Sequence, residues 1–320
     1  MQIDALVDLL REPGYHSGND LAKQLGISRA RVWQMIKHLE SLGLPIWSVR
    51  GRGYRVAPDV SLLHRQNVLS VLSAARLTKR IENLQLVASI NSTNAALLGA
   101  LSGQTGYAIL SSEHQYEGRG RQGRTWYTPM ASNLACSFAL ASVPLVCLPG
   151  LSLSLGVAIA DMLRKLGLAK AMVKWPNDIY LADAKVAGIL VELRVKEDSS
   201  ARLVIGVGMN VNHSLDSTLV ARPTTHVNAH LPQAIERSTL LAYLIQAVVE
   251  ASDRHLAQGM TWLHQQWPGF DYLLQREVRV HTNNAVLKGQ AQGIDDQGRL
   301  MVLVNGQCQV FDHGEVSVRV

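Results

Sequence analysis

Along the first 58 residues apolar positions recur every three or four places. Ile3, Leu6, Val7 and Leu10 predict a helix that Pro13-Gly14 stops. Ser17 is placed to cap a second, short helix over 17–25 that ends at Gly26, and Ser28 to cap a third over 28–43 that ends at Gly43. On the third, Val32, Met35, Ile36 and Leu39 share one face, which should pack inward. Ala30, Gln34, Lys37 and Ser41 lie opposite, flanked by Trp33 and His38. Two short helices around Gly26-Ile27 form a helix-turn-helix pattern. At 46–56 the period drops to two around Gly51-Arg52-Gly53, which predicts a hairpin with Arg50, Arg52 and Arg55 near its tip.

Residues 60–80 hold a polar-apolar helix and the linker. Strand-like and helix-like segments then alternate from about Gln85 to His264. Strands are expected near 84–89, 107–115, 133–140, 172–181, 185–195 and 201–211, and helices at 92–101 and 150–167. This predicts a mixed sheet covered by helices. Residues 277–320 break into short alternating runs, with turn signals at 295–298 and at Asn305-Gly306, as in a small antiparallel barrel or sandwich. The class is therefore α+β and multidomain, with expected units at 1–60, 61–270 and 271–320.

Composition adds direction. The 320 residues are 47% hydrophobic and only 18% charged, so the chain can bury sizeable cores and is not a disordered one. A net charge of +6 suggests an acidic partner. Residues 1–58 hold eight Lys or Arg against five Asp or Glu, a net of +3 in under a fifth of the length. The exposed face of the third helix suits a major groove, where Gln reads adenine and Lys reads guanine. Arg29, Ala30, Arg31, Gln34, Lys37 and His38 on that helix, with Arg50 and Arg52 on the wing, are the expected DNA contacts. The plainer alternatives are a small helical domain with a solvated face, or a protein-docking module.

Asp4 and Asp8 interrupt the first helix too early for a signal peptide. No charged residue occurs from Thr125 to Ala160, but Pro129, Pro144, Pro149 and Gly150 break the stretch. It reads as a buried strand and a helix of a core, not as a membrane span. Cys136, Cys147 and Cys308 form no C-x-x-C pair and lie in apolar surroundings, which fits reduced core thiols and a cytoplasmic protein.

The chemistry concentrates at Gly118-Arg119-Gly120-Arg121-Gln122-Gly123-Arg124, followed by Trp126. Glycines let backbone N–H groups approach an anion, and arginines supply charge-assisted, bidentate donors. Alone, the loop also fits an RNA- or DNA-binding tract; it is not a P-loop, since G-x-x-x-x-G-K-[ST] is absent. Ser92-Thr93-Asn94 opens an apolar helix, where Ser92 is also a natural N-cap. Lys174-Trp175-Pro176-Asn177-Asp178 reads equally as a strand-end turn, and Lys185 before Val186-Ala187-Gly188-Ile189-Leu190 as a snorkelling surface residue. Gly206-Val207-Gly208-Met209-Asn210-Val211-Asn212 ends a strand with residues small enough to admit a ligand.

In this order, with Gln115 between them, these segments resemble the family of bifunctional biotin–protein ligases that also act as biotin operon repressors. The likeness extends from the winged helix-turn-helix, including Gly51-Arg52-Gly53-Tyr54, to Gly314-Glu315-Val316-Ser317, essentially the whole chain. It implies a catalytic fold of the class II synthetase and biotin ligase kind and an SH3-like C-terminal β-barrel. The implied chemistry is activation of biotin by ATP to biotinyl-5′-AMP, then transfer to a lysine of a biotin carboxyl carrier protein of acetyl-CoA carboxylase. By family pattern, Ser92, Thr93, Asn94, Gln115, Arg119, Gly120, Arg121 and Lys185 bind biotin, with Lys185, Arg119 and Arg121 catalytic. Arg121, Arg124, Trp126, Asn177, Asp178 and Asn210 would bind ATP or the adenylate, and Asp178 a Mg²⁺ ion. The adenylate-bound homodimer would bind the biotin operator.

Asn91 and Glu117 depart from that pattern, and 213–230 lacks an aromatic residue to stack on adenine. A lipoate ligase-like acyl-adenylate transferase, a biotin-sensing repressor without ligase activity and a ligase without DNA binding are the competing readings.

Overall fold

The computed structural model describes residues 2–100, 106–195, 200–214, 223–282, 285–312 and 317–319. Three helices, α1 (Gln2–Leu10), α2 (Gly18–Leu25) and α3 (Arg29–Ser41), and a hairpin of β1 (Ile46–Val49) and β2 (Gly53–Val56) form the N-terminal unit. Ser17 and Ser28 accept hydrogen bonds from the amides of Asp20 and Arg31, so both predicted caps are made. Val32, Met35, Ile36 and Leu39 are buried, and Gly26 closes α2 at φ +65°.

The wing is pinned to the turn after α1. His16 and Tyr54 exchange both backbone hydrogen bonds, at 2.8 and 2.9 Å. A Cβ on Gly53, which has φ +102°, would meet the His16 carbonyl, so this corner tolerates only glycine. Arg55 is not at the tip as its place near the turn suggested. It lies within β2 opposite Trp47, because the hairpin turns over 50–52 and the register carries Arg55 down the strand.

Helix α4 (Arg65–Ala74) leads into a seven-stranded sheet. Its strands are β3 (Ile81–Ile90), β4 (Tyr107–Gln115), β5 (Leu134–Pro144), β6 (Met172–Lys174), β7 (Asp178–Leu181), β8 (Ala184–Val195) and β9 (Ser200–Met209). The order is β3-β4-β5-β9-β8-β7-β6; β3 and β4 are parallel and every other pair is antiparallel, the mixed sheet expected. Alternation gives the sheet two apolar faces. Tyr107 and Ile109 of β4 join the main core with α6 (Leu151–Lys165) and α7 (Arg237–Gln258), while Ala108 and Leu110 pack with Leu97 of α5 (Thr93–Ala100).

After α8 (Met260–Gln266), strands β10 (Glu277–His281), β11 (Val286–Ile294), β12 (Leu300–Val304), β13 (Gln307–Phe311) and β14 (Ser317–Arg319) form a five-stranded antiparallel sheet. The 305–306 turn takes positive φ at both residues, the hairpin geometry its Asn-Gly predicts. This sheet is bolted to the central unit: Trp175 donates its indole N–H to the Gly298 carbonyl at 3.0 Å, and Val173, just upstream of it, exchanges backbone bonds with Phe270 and Tyr272 in the segment leading into β10.

The N-terminal unit also docks on the central one. Asp4 accepts from the Ala88 amide at 2.8 Å, and the first core continues onto Ala88, Met130 and Ala131. Beneath the linker, Arg237 and Glu113 form a fully buried ion pair at 2.5 Å. Glu113 also accepts from the Leu63 amide, and Arg237 donates to the carbonyls of Ser61 and Asn133. A buried pair with both partners satisfied fixes geometry more than it adds stability.

One cysteine expectation fails. Cys136 is buried, and burial pushes its thiol pKa up, but Cys147 is half-buried and Cys308 is exposed. Cys308 sits on β13, an edge strand, pointing away from the core. Among the described residues no helix is long and apolar enough to cross a membrane.

Candidate functional site

One cavity of about 800 Å³ gathers most of the predicted site. Ser92, Thr93, Asn94, Gln115, Arg119, Gly120, Arg121, Arg124, Trp126, Asn177, Asp178, Lys185 and Asn210 all line it. The volume lies within the usual range for small-molecule sites. Parallel pairing of β3 with β4 sets Ile90 beside Gln115, so the start of α5 and the end of β4 meet at one mouth.

At that end the polar groups are fixed before any ligand arrives. Gln115 accepts from the backbone N–H and hydroxyl of Thr93, at 2.9 and 3.1 Å, and donates to Thr128 at 3.2 Å. Ser137 lies within 2.6 Å of the Thr93 hydroxyl and 2.5 Å of Asn94 Oδ1. Asn94 donates to the Leu190 carbonyl and to Glu192. Such locked amides suit a ligand with its own fixed pattern of donors and acceptors.

The other end is cationic. Lys185, expected at a strand boundary, is a pocket residue: its Nζ is 2.5 Å from Asp178 Oδ1, and both side chains are largely buried. It also lies 5.2 Å from the Trp126 ring centroid. Arg121 donates to Asn177 at 3.2 Å; burial pulls its guanidinium pKa down, and the nearby Asp178 works against that. Trp126 seats itself where Gly208 has no side chain, since a Cβ there would lie 2.2 Å from the indole. The indole nitrogen is buried close against Gly208 without a hydrogen-bond partner. Asn210 is buried, its amide donating to Thr225 at 3.1 Å and lying 3.4 Å from Asn133. The backbone of 223–225 runs beside Lys185, with hydrogen bonds of 3.0 and 2.9 Å.

The arginine-glycine loop is a tight hairpin, and its glycines serve that hairpin first. Trp126 N–H donates to Gly118 O at 2.8 Å, and Gly120 N–H donates to Arg124 O at 2.7 Å. The Gly120 amide is therefore engaged within the loop, contrary to the expected approach to an anion. Gly118 has no room for a Cβ, which would lie 2.1 Å from the Trp126 carbonyl. Arg119 reaches Glu192, and Arg124 reaches Gln122. Asn91 and Glu117, the two departures beside the loop, stand opposite each other, joined by a 2.9 Å backbone bond.

The residues expected to contact DNA, Arg29, Ala30, Arg31, Gln34, Lys37, His38, Arg50 and Arg52, are all exposed. The first turn of α3 holds Arg29 and Arg31 and no acidic residue. Cations at a helix N-terminus oppose its dipole, a placement that an incoming phosphate reverses.

Sequence reasoning missed Ser137, Glu192, Asn133 and the Glu113–Arg237 pair. Residues 215–222 and 314–316 lie outside the described residues.

An HTH domain matches residues 3–55, the Biotin/lipoate A/B protein ligase family residues 86–210, and the Biotin protein ligase C terminal domain residues 273–319. The bifunctional ligase/repressor BirA of Escherichia coli (strain K12) is 33% identical over 316 residues, 98% of this chain and 96% of that protein. The chain belongs to the bifunctional biotin–protein ligase/repressor family. The ligase is also 26% identical to BirA of Bacillus subtilis (strain 168) over 94% of its own chain and 93% of that protein. It is 30% identical to the biotin–[acetyl-CoA-carboxylase] ligase of Paracoccus denitrificans over 72% of its chain and 98% of that one. In fold it resembles the biotin protein ligase from Aquifex aeolicus solved with biotin and ATP, with a TM-score of 0.64 at 24% identity, covering 74% of the ligase and 99% of that chain.

Proposed function

We propose that residues 61–270 use the cavity to join biotin to ATP and then to a lysine of a biotin carboxyl carrier protein, such as that of acetyl-CoA carboxylase. In the first step a biotin carboxylate oxygen attacks the α-phosphorus, the bond to the bridging oxygen breaks, and pyrophosphate leaves. In the second, the carrier amine attacks the acyl carbon, loses its proton, and AMP departs. Both nucleophiles belong to substrates, so the protein supplies position and charge.

The observation that carries this reading is one continuous cavity with locked amides at one end and Lys185, Arg121 and Asp178 at the other. Thr93, Asn94 and Gln115 hold the ureido ring, with Ser92 beside them. Arg119, Gly120 and Arg121 bracket the carboxylate, and Lys185 meets the charge that develops as carboxylate and phosphate approach. Trp126 walls the cavity beside Lys185 on the adenylate side. Arg124, Asn177, Asp178 and Asn210 border the nucleotide.

For Mg²⁺ the fit is partial. Asp178 is paired with Lys185, and the described residues contain no group of three His, Cys, Asp or Glu able to hold a metal. A Mg²⁺ ion brought in on the ATP phosphates needs only one such carboxylate, and would neutralise phosphate charge there.

Residues 1–60 place α3 in the major groove of the biotin operator and the wing on phosphates, and 271–320 close the far side of the cavity. The homodimer has a natural seam. β8 pairs with β7 only as far as Gly188, and among the described residues no strand covers that side of the stretch beyond, where Leu193 and Val195 are exposed, an edge suited to strand addition. The reduced, membrane-free setting expected of the sequence is the cytoplasm.

Biotin-dependent exchange of labelled pyrophosphate into ATP tests the first step. Exchange with biotin and none with lipoate is the expected result; exchange with lipoate alone would replace this reading with the lipoate ligase one.

A further inference from the structure

We infer that Glu192 is a positioning residue that holds the biotin-side end of the arginine-glycine loop by anchoring Arg119. The inference rests on the proposed use of that cavity. Glu192 does not line the cavity. Its Oε2 accepts from Asn94 at 2.8 Å and from Arg119 Nη2 at 3.3 Å, and its Oε1 is 3.2 Å from the same Nη2.

The carboxylate is itself held firmly. Asn94 is buried, its Nδ2 also reaches the Leu190 carbonyl at 3.3 Å, and its Oδ1 takes the Ser137 hydroxyl at 2.5 Å. A Cβ on Gly206 would fall 2.3 Å from that oxygen, so the amide has no space to turn. Glu192 thus transmits the fixed position of the α5 start to a loop that also meets the turn between β6 and β7 through Arg121 and Asn177. The two ties are two residues apart on the loop, one on the amide side of the cavity and one on the phosphate side.

Arg119 is 45% exposed, and one guanidinium nitrogen makes the Glu192 contact. A guanidinium has five N–H donors, so the group can serve a second carboxylate while Glu192 keeps it in place. Glu192 therefore sets where Arg119 waits for the biotin carboxylate, and its removal lowers biotin affinity without touching the phosphate end. A partly exposed pair of this kind contributes up to about a fivefold change in an equilibrium.

The test compares wild-type protein with Glu192→Gln and Glu192→Asp. Trypsin cleavage after Arg119, Arg121 and Arg124 is followed by mass spectrometry without ligands, then biotin and ATP KM values are measured. Glu192→Gln should open the loop to cleavage up to about fivefold faster and raise biotin KM by a similar factor, with kcat and ATP KM held. Glu192→Asp, which keeps the charge, should fall between. Unchanged loop cleavage in both variants, or biotin and ATP KM rising together with a fall in Tm, would overturn the inference. The cleavage result needs no ligase activity, so a wild-type protein inert in pyrophosphate exchange would defeat the proposed function and leave this claim separately readable.

Discussion

In the proposed mechanism Lys185 is the residue on which the first chemical step turns. Its Nζ rests against Asp178, inside the cavity rather than over its rim. Replacing it with alanine should lower biotin-dependent pyrophosphate exchange by about 100-fold or more, with Tm nearly unchanged, because the charge acts as carboxylate and phosphate meet. Near-normal exchange by folded Lys185→Ala would refute the role. Gly208→Ala should displace Trp126 and raise the KM of both substrates, since the added methyl would overlap the indole; unchanged KM values would show that Trp126 is a bystander. Much at this scale was legible. Ser92, Thr93, Asn94, Gln115 and the loop arginines were found by their order and now line one cavity. Ser137 and Glu192 were not found. A strand's alternation tells which face a side chain takes but not which distant helix or loop lies there, and Asn94 is 98 residues from Glu192.

Helix α3 is the element whose proposed DNA-reading role can be separated from catalysis. Arg31 is within 3.3 Å of Gln34 and Lys37 is 2.7 Å from Glu40, so the exposed face is ordered but solvent-facing. Gln34→Ala should relax operator sequence preference, whereas Arg52→Ala should weaken all DNA and flatten the salt dependence, with pyrophosphate exchange intact for both. Equal operator binding by both variants would move the DNA contact elsewhere. Helices here were read well because caps and periodicity are local; the loop was read less well, because its glycines answer to a hairpin made across it. Helix α7 carries a pH-sensitive tie to α6. His255 bridges Ser154 at 2.8 Å and the Pro149 carbonyl at 2.9 Å, and burial holds its pKa below the ordinary histidine value. A depressed histidine pKa means the unfolded chain takes the proton first, so stability should fall as pH drops below about 6.5. Asp271 runs the other way: burial raises it to about 6, so its protonation favours the fold over the same acid range and offsets part of the loss. Thermal melts of wild type and His255→Gln between neutral and mildly acidic pH check this, the variant losing part of the slope; identical slopes would contradict it.

Across the whole molecule the N-terminal unit is both separable in function and seated in structure. Deleting residues 1–58 should abolish operator binding and leave pyrophosphate exchange measurable, with a lower Tm because Ala88, Met130 and Ala131 lose their cover. Operator binding by the truncated protein would contradict the assignment. In the proposed dimer along the open part of β8, an adenylate that favours association would make engagement of the second half-site effectively intramolecular. Sedimentation with and without biotinyl-5′-AMP should show more dimer with it, and equal dimer in both states would remove that coupling. Three units in this order were legible because each has its own period and turn chemistry, while the seams between them rest on contacts between distant residues, such as Asp4 with Ala88, which no local pattern announces. The most direct measurement is to incubate the full chain with biotin, ATP, Mg²⁺ and a biotin carboxyl carrier domain, and to weigh the carrier by mass spectrometry. One added biotinyl group on a single carrier lysine, dependent on ATP and lost with Lys185→Ala, is the predicted result; a carrier of unchanged mass beside folded, biotin-bound protein would contradict it.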